Sequence, residues 1–267
     1  MPSIERDGMK LHYTESGSGD ETVILSHSYL VDHRHFAAQS EALVAAGYRV
    51  VAYDHRDHGQ SGRASAPYTL EDIVSDGVAI IEQLGNGPVH WVGLSTGGFV
   101  GMRIAARFPD RIKRLVLMDT SASSEPGMAR LRYEGLLLAL RFVGVKPLVG
   151  QANVSMFSRG FRTDPARASD LALWSDRIAA NDPKALVRFG KAIFGRPDFL
   201  SQFSSIAAPT LIVVGEKDAA TPVGAAKLMH KALPAARFEI VPGAGHLSTV
   251  ENPEETSALL VEFLGSA

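Results

Sequence analysis

Cysteine is absent from the 267-residue chain. That excludes disulfide bridges, thiolate metal sites and a cysteine nucleophile. Charge of one sign is equally scarce: 27 Lys and Arg stand against 29 Asp and Glu, a formal net charge of −2. With no basic block, neither nucleic acid nor an anionic membrane is an expected partner. No run is long and apolar enough for a convincing membrane span. The most apolar helical stretch, LRYEGLLLALRFVGVKPLVG, carries Arg132, Glu134, Arg141 and Lys146. The opening MPSIERDGMKLHY lacks a basic segment followed by an apolar one, so no secretory signal is expected and a cytoplasmic protein is.

What is present suits one large globular domain with a small inserted subdomain: 45% of the residues are hydrophobic and 21% charged. Strand-like runs alternate with helical ones. GMKLHYTESG, ETVILSH, RVVAYD, VHWVGL and RIKRLVLMD read as strands. HFAAQSEALVAAGY, closed by Gly47, reads as a helix; so do TLEDIVSDGVAIIEQLG, with Ile73, Val74, Ile80, Ile81 and Leu84 on its apolar side, and GGFVGMRIAARFP. From Ser121 to Ser204 the patterns are mostly helical. Alternation then resumes with APTLIVVG, VGAAKLMHKALP, ARFEIVPG and PEETSALLVEFLG. Such alternation predicts an α/β fold with a mostly parallel sheet covered on both faces. The core is expected to comprise residues 1–120 and 205–267, with a helical cap at 121–204 over the sheet's active end.

One motif carries chemistry. Gly93-Leu94-Ser95-Thr96-Gly97 is a G-x-S-x-G between a predicted strand and a predicted helix. Alone it is weak, since chance yields about 0.2 such matches in a chain this glycine-rich. In its strand-turn-helix setting it reads as a nucleophile elbow, with Gly93 and Gly97 where flanking side chains would collide. The following helix N-terminus offers positive potential to an oxyanion. A serine nucleophile needs a base and an orienting acid, in the chain order Ser, Asp/Glu, His. TLIVVGEKDAATP supplies Asp218 after a late strand, and FEIVPGAGHLSTVENPEE supplies His246 after the last one. Asp119, ending LVLMD, is a rival acid. His33, His35, His55 and His58 invite a metal reading, but their spacing does not match a compact ligand loop, and no metal is expected.

Taken in order, SHSYLVDHRHF, YDHRDHGQSG, VGLSTGGFVGMRIAARFPDRIKRLVLMDTSA, PTLIVVGEKDAATP and PGAGHLSTVENPEE resemble the α/β-hydrolase superfamily. Within its serine hydrolases the chain is similar to 3-oxoadipate enol-lactonases and related bacterial carboxylesterases. The resemblance implies the α/β-hydrolase fold, with a helical cap inserted after the sixth strand. It implies Ser95 as nucleophile, Asp218 as acid and His246 as base. The oxyanion hole would be the backbone N–H groups of Tyr29 and Thr96, with His27 bracing that loop. It implies a cofactor-free hydrolase acting on a small-molecule ester or lactone, as monomer or homodimer. Cofactor-free perhydrolases and carbon–carbon bond hydrolases use the same three residues and remain open, as does a non-catalytic binding protein.

The chain departs from the family pattern twice. Ser28 follows His27 where His-Gly is usual, and Asp57 stands where D-x-R-G-x-G-x-S has glycine; Asp54, Arg56, Gly59 and Ser61 match as structural supports. Within the cap, Phe157, Phe161, Trp174, Phe189 and Phe194 are either pocket lining or cap core. Arg159, Arg162, Arg177 and Arg188 either meet a substrate carboxylate or lie on solvated faces.

Overall fold

The Val- and Ile-rich runs become the inner strands of one sheet. In the computed structural model, which describes residues 2–125 and 127–266, eight strands form it: β1 (Ser3–Arg6), β2 (Met9–Ser16), β3 (Thr22–Ser26), β4 (Arg49–Tyr53), β5 (Val89–Leu94), β6 (Ile112–Met118), β7 (Thr210–Gly215) and β8 (Arg237–Val241). Their order is β1-β2-β4-β3-β5-β6-β7-β8. The first two strands pair antiparallel, as do β2 and β4; every other pairing is parallel. Every residue of β3, β5 and β7 is buried, as strands covered on both faces require. Seven of the eight strands are legible in the sequence. β1 is not, because a four-residue edge strand paired on one side only carries no period to read.

The covering helices are those expected: α1 (Ala37–Ala45), α2 (Leu70–Leu84) and α3 (Thr96–Arg107). Gly47 follows the first of them at φ +90°, where its lack of a Cβ lets the chain reverse. A capping box of Thr69 and Asp72 starts α2. Near the middle of α3, Gly101 lets the helix approach β5: a Cβ there would lie 2.4 Å from the Trp91 ring.

Among the described residues, six helices separate β6 from β7: α4 (Gly127–Val143), α5 (Val149–Met156), α6 (Arg159–Thr163), α7 (Ala168–Ala179), α8 (Pro183–Phe194) and α9 (Leu200–Phe203). Then come α10 (Val223–Ala232), α11 (Ser248–Glu251) and α12 (Pro253–Gly265). The aromatics of the insertion divide between its own interior and its seam with the sheet loops. Phe157 stacks on Phe161 with ring centroids 4.9 Å apart, Trp174 is buried beneath the Arg177 guanidinium, and Phe189 is fully buried against Tyr29. Phe194 is half-buried and stacks on Tyr133.

Asp57 gives its departure from glycine a physical reason. It sits at φ +66°, a conformation that favours glycine. Its buried carboxylate takes Arg188 Nε at 3.0 Å and Nη2 at 2.6 Å, Tyr68 Oη at 2.7 Å and the Ala64 N–H at 3.0 Å. Arg188 belongs to α8, so this fork ties the insertion to the loop after β4 and occupies the guanidinium within the protein. Arg188→Ala leaves a buried carboxylate with two donors in place of four. Stability is expected to fall by about 2 kcal/mol, read as a lower urea midpoint at unchanged m-value.

Candidate active site

The loops at the carboxyl ends of β3 to β8 carry the candidate residues, the usual place for a site in an open parallel sheet. Ser95 joins β5 directly to α3 at φ +53°, ψ −107°. The surrounding backbone holds this strained conformation in place. Ser95 N–H donates to Met118 O at 2.9 Å, and Ser95 O accepts from Phe99 N–H at 3.0 Å and Thr120 Oγ1 at 2.8 Å. Both glycines of the motif are required sterically. A Cβ on Gly93 would lie 2.2 Å from Gly97 O, and one on Gly97 would lie 1.9 Å from Ser26 O. Strain of this kind clusters where a side chain must be presented at a fixed point.

His246 lies in the loop after β8 and Asp218 in the loop after β7. The structure brings these two together: His246 Nδ1 is 2.9 Å from Asp218 Oδ2 and 3.1 Å from Oδ1. Asp218 is itself fixed by the N–H groups of Ala220 and Thr221 and by Thr221 Oγ1, all at 2.8–2.9 Å. With Nδ1–H donating to the carboxylate, Nε2 is the ring's basic nitrogen. Ser95 Oγ makes no hydrogen bond to His246 among the described residues. Burial pulls the His246 pKa down. The Asp218 charge and hydrogen bond, with the Asp119 and Glu251 charges, outweigh it, and the net shift is upward from 6.5.

Asp119, the rival acid, touches a different partner. At the end of β6 and φ +45°, it accepts from Gly215 N–H at 2.7 Å and Ser248 Oγ at 2.5 Å. Burial and the nearby Asp218 charge push its carboxyl well up. It therefore ties the end of β6 to β7 and to the residue two places after His246.

Two backbone donors face no protein acceptor. Neither the Tyr29 nor the Thr96 N–H makes a hydrogen bond among the described residues. The Tyr29 ring is held by its hydroxyl on Leu186 O at 2.9 Å. Beside these groups the Ser28 and Thr96 hydroxyls are buried without a partner among the described residues. His27 joins the loops after β3 and β4: Nδ1–H donates to Ser28 O at 2.7 Å and Nε2 accepts from His55 N–H at 2.8 Å. Burial lowers its pKa, and the His55 N–H donated to Nε2 favours the uncharged ring.

Glu251 is not legible in the sequence as a site residue. One oxygen, Oε1, accepts from the N–H of Gly245, immediately before His246, at 3.0 Å and from the N–H of Ser158 in the helical insertion at 2.9 Å. Leu247 N–H adds a bond to Met156 O at 2.9 Å. The histidine loop is thus stitched to the insertion on both sides of His246. A glutamate five positions after a histidine carries no sequence signal for this; the contact is tertiary.

The four histidines that invite a metal reading do not converge. His27 packs edge-on against His55 and tilted against His58, and burial lowers all three pKa values, His58 to about 3. His35 bonds Thr249 Oγ1 at 2.9 Å. His33 lies with His12 and Asp54, their ligand-type atoms within 4.8 Å of one another. Asp54 there already accepts from the His33 N–H at 3.0 Å, His33 Nδ1 at 2.8 Å and the Gln60 N–H at 2.9 Å. That is the work of a loop brace, as is Arg56, which forks onto Asp76 with both bonds at 2.6 Å. Of the other arginines in the helical insertion, Arg162 donates to Phe157 O and Arg177 lies over Trp174, while Arg159 is exposed.

The family model for the alpha/beta hydrolase fold matches residues 21–253. An enol-lactonase from Burkholderia xenovorans LB400 superposes with a TM-score of 0.91 at 26% identity, covering 99% of this chain and 100% of that one. A bromoperoxidase from Bacillus anthracis superposes at 0.86 with 26% identity, covering 97% and 96%. A 2-hydroxy-6-oxononadienedioate/2-hydroxy-6-oxononatrienedioate hydrolase of Cupriavidus pinatubonensis is 28% identical over 270 residues, 96% of this chain and 91% of its own.

Proposed function

The chain belongs to the alpha/beta hydrolase fold family, and from that premise we propose that it is a serine hydrolase that cleaves a carboxylic ester or lactone through an acyl-enzyme. The observation that carries the reading is the double contact of His246 Nδ1 with Asp218, which leaves Nε2 as a base. The strained turn that presents Ser95 supports it.

His246 Nε2 takes the proton of Ser95 Oγ as the oxygen attacks the carbonyl carbon. Asp218 holds the ring's tautomer and stabilises the imidazolium. The free N–H groups of Tyr29 and Thr96 receive the oxyanion, each contributing about 3 kcal/mol to lowering the barrier. The imidazolium then returns its proton to the leaving alkoxide. Water enters, His246 activates it, and the acyl group leaves as a carboxylate. No step calls on a metal or organic cofactor. Helices α4 to α9 serve as the cap that bounds the acyl pocket.

A panel of p-nitrophenyl esters, simple lactones, acyl-homoserine lactones and an enol-lactone tests the reaction class. Turnover of at least one ester or lactone, dependent on Ser95, is expected. Turnover confined to carbon–carbon cleavage of a dienedioate, or to peracid formation from a carboxylate and peroxide, would move the activity to those branches of the family.

The reaction needs neutral His246. Its pKa is raised above 6.5 by Asp218 against the opposing effect of burial. Activity should therefore fall as pH drops through a midpoint above 6.5, and Asp218→Asn should move that midpoint to lower pH. The kcat/KM–pH profiles of the two proteins check both directions.

A further inference from the structure

The most apolar helical stretch of the sequence folds as α4 with much of its apolar surface outward. Leu137 and Leu140 are buried, whereas Met128 is 74% exposed, Leu131 62%, Leu138 58% and Phe142 75%. With Gly135 between them, the exposed positions are spaced 3, 4, 3 and 4. At about 100° per residue they form one stripe, on the side of the helix away from Leu137 and Leu140. Five of the ten large apolar side chains exposed among the described residues lie in this helix, so the patch is a property of α4 and not ordinary surface scatter.

Its charge is as distinctive as its apolarity. Residues 127–146 hold Arg130, Arg132, Arg141 and Lys146 against Glu134 alone, in a chain whose net charge is −2. A cleft of about 350 Å³ opens beside the stripe at Leu138, lined by Leu137, Val187 and Phe194 together with Glu134, Arg141 and Lys191.

We propose that α4 is an interfacial helix that docks the protein reversibly on an anionic lipid bilayer. Met128, Leu131, Leu138 and Phe142 enter the boundary of the acyl chains, and Arg132 and Arg141 meet the headgroups. Charge decides between occupants. A second copy packed α4 on α4 would bring the three arginines of each helix, Arg130, Arg132 and Arg141, together with only Glu134 to offset them on each side. An anionic bilayer supplies an apolar layer and the opposite charge together. Docking in this way brings the outer helix of the insertion to the lipid. The neighbouring α8 packs Phe189 and Phe194 against Tyr29.

Co-sedimentation with phosphatidylcholine vesicles, with and without phosphatidylglycerol, tests the proposal. The wild-type protein should sediment with the phosphatidylglycerol vesicles only, and less so as salt rises. Phe142→Ser should weaken partitioning about tenfold or more. Arg132→Gln and Arg141→Gln should each weaken it about fivefold. All three sites are exposed and outside the catalytic machinery, so melting temperature and hydrolysis of a soluble p-nitrophenyl ester should not change. Sedimentation with neither vesicle, or equally with both, overturns the proposal. So does a dimer in sedimentation equilibrium that Phe142→Ser disperses, which would assign the stripe to a second copy.

Discussion

Ser95→Ala should lower kcat for ester hydrolysis by at least about 10⁴-fold while leaving the fold intact. The two halves of that expectation have separate causes. Ser95 Oγ has no hydrogen-bond partner among the described residues, and the strained turn is fixed by backbone contacts to Met118, Phe99 and Thr120. Removing the hydroxyl therefore orphans nothing, and the melting temperature should stay within about a degree of wild type. The acyl-enzyme, by contrast, cannot form without that oxygen, so only the binding and oxyanion contributions remain. Pre-steady-state kinetics with a p-nitrophenyl ester in excess separate the cases: the wild type should release a burst of p-nitrophenolate if deacylation is slow, and the variant none. A variant that turns over like wild type would remove serine catalysis altogether.

Asp218→Asn should be nearly as damaging, about 10⁴-fold in kcat, and Asp119→Asn much less so, within about tenfold. The difference lies in what each carboxylate touches. Asp218 meets the imidazole directly, with both oxygens within 3.1 Å of Nδ1. An amide in its place can turn its NH₂ toward the ring, which then adopts the other tautomer and loses its base at Nε2. Asp119 touches Gly215 N–H and Ser248 Oγ but not the ring. An asparagine there still accepts from Gly215, and Ser248 can reverse its hydrogen bond to accept from the amide. Paired kcat measurements on the two variants decide which carboxylate is the acid. A crippled Asp119→Asn beside an active Asp218→Asn would reverse the assignment.

The features legible in the sequence are those set by local rules. The buried strands β3 and β7 are visible because Val, Ile and Leu follow one another without interruption, and β5 because VHWVGL is a short, mostly apolar run that ends in the glycine-rich turn. The turn at Ser95 is visible because no residue but glycine fits at 93 and 97, where a Cβ would stand about 2 Å from neighbouring backbone. Asp218 and His246 can be placed because each follows a strong strand. What cannot be read depends on contacts between distant segments. Asp57 breaks the glycine pattern, yet only its fork with Arg188, 131 positions away, explains why an aspartate stands at φ +66°. Glu251 reaches Ser158 across 93 positions and so joins it to Gly245. The face that α4 presents is a third case. The periodicity of LRYEGLLLALRFV announces a helix but not which of its apolar sides meets the core, because both sides are apolar. A near-zero net charge likewise conceals that four cations gather in and just after that one helix.

Labelling with a fluorophosphonate, followed by mass spectrometry of the digested protein, tests the relay of Ser95, His246 and Asp218 most directly. One adduct per chain on the peptide containing Ser95 is expected, absent from Ser95→Ala and formed far more slowly in His246→Ala. An unlabelled Ser95 in folded wild-type protein, or labelling at equal rate in His246→Ala, would contradict it.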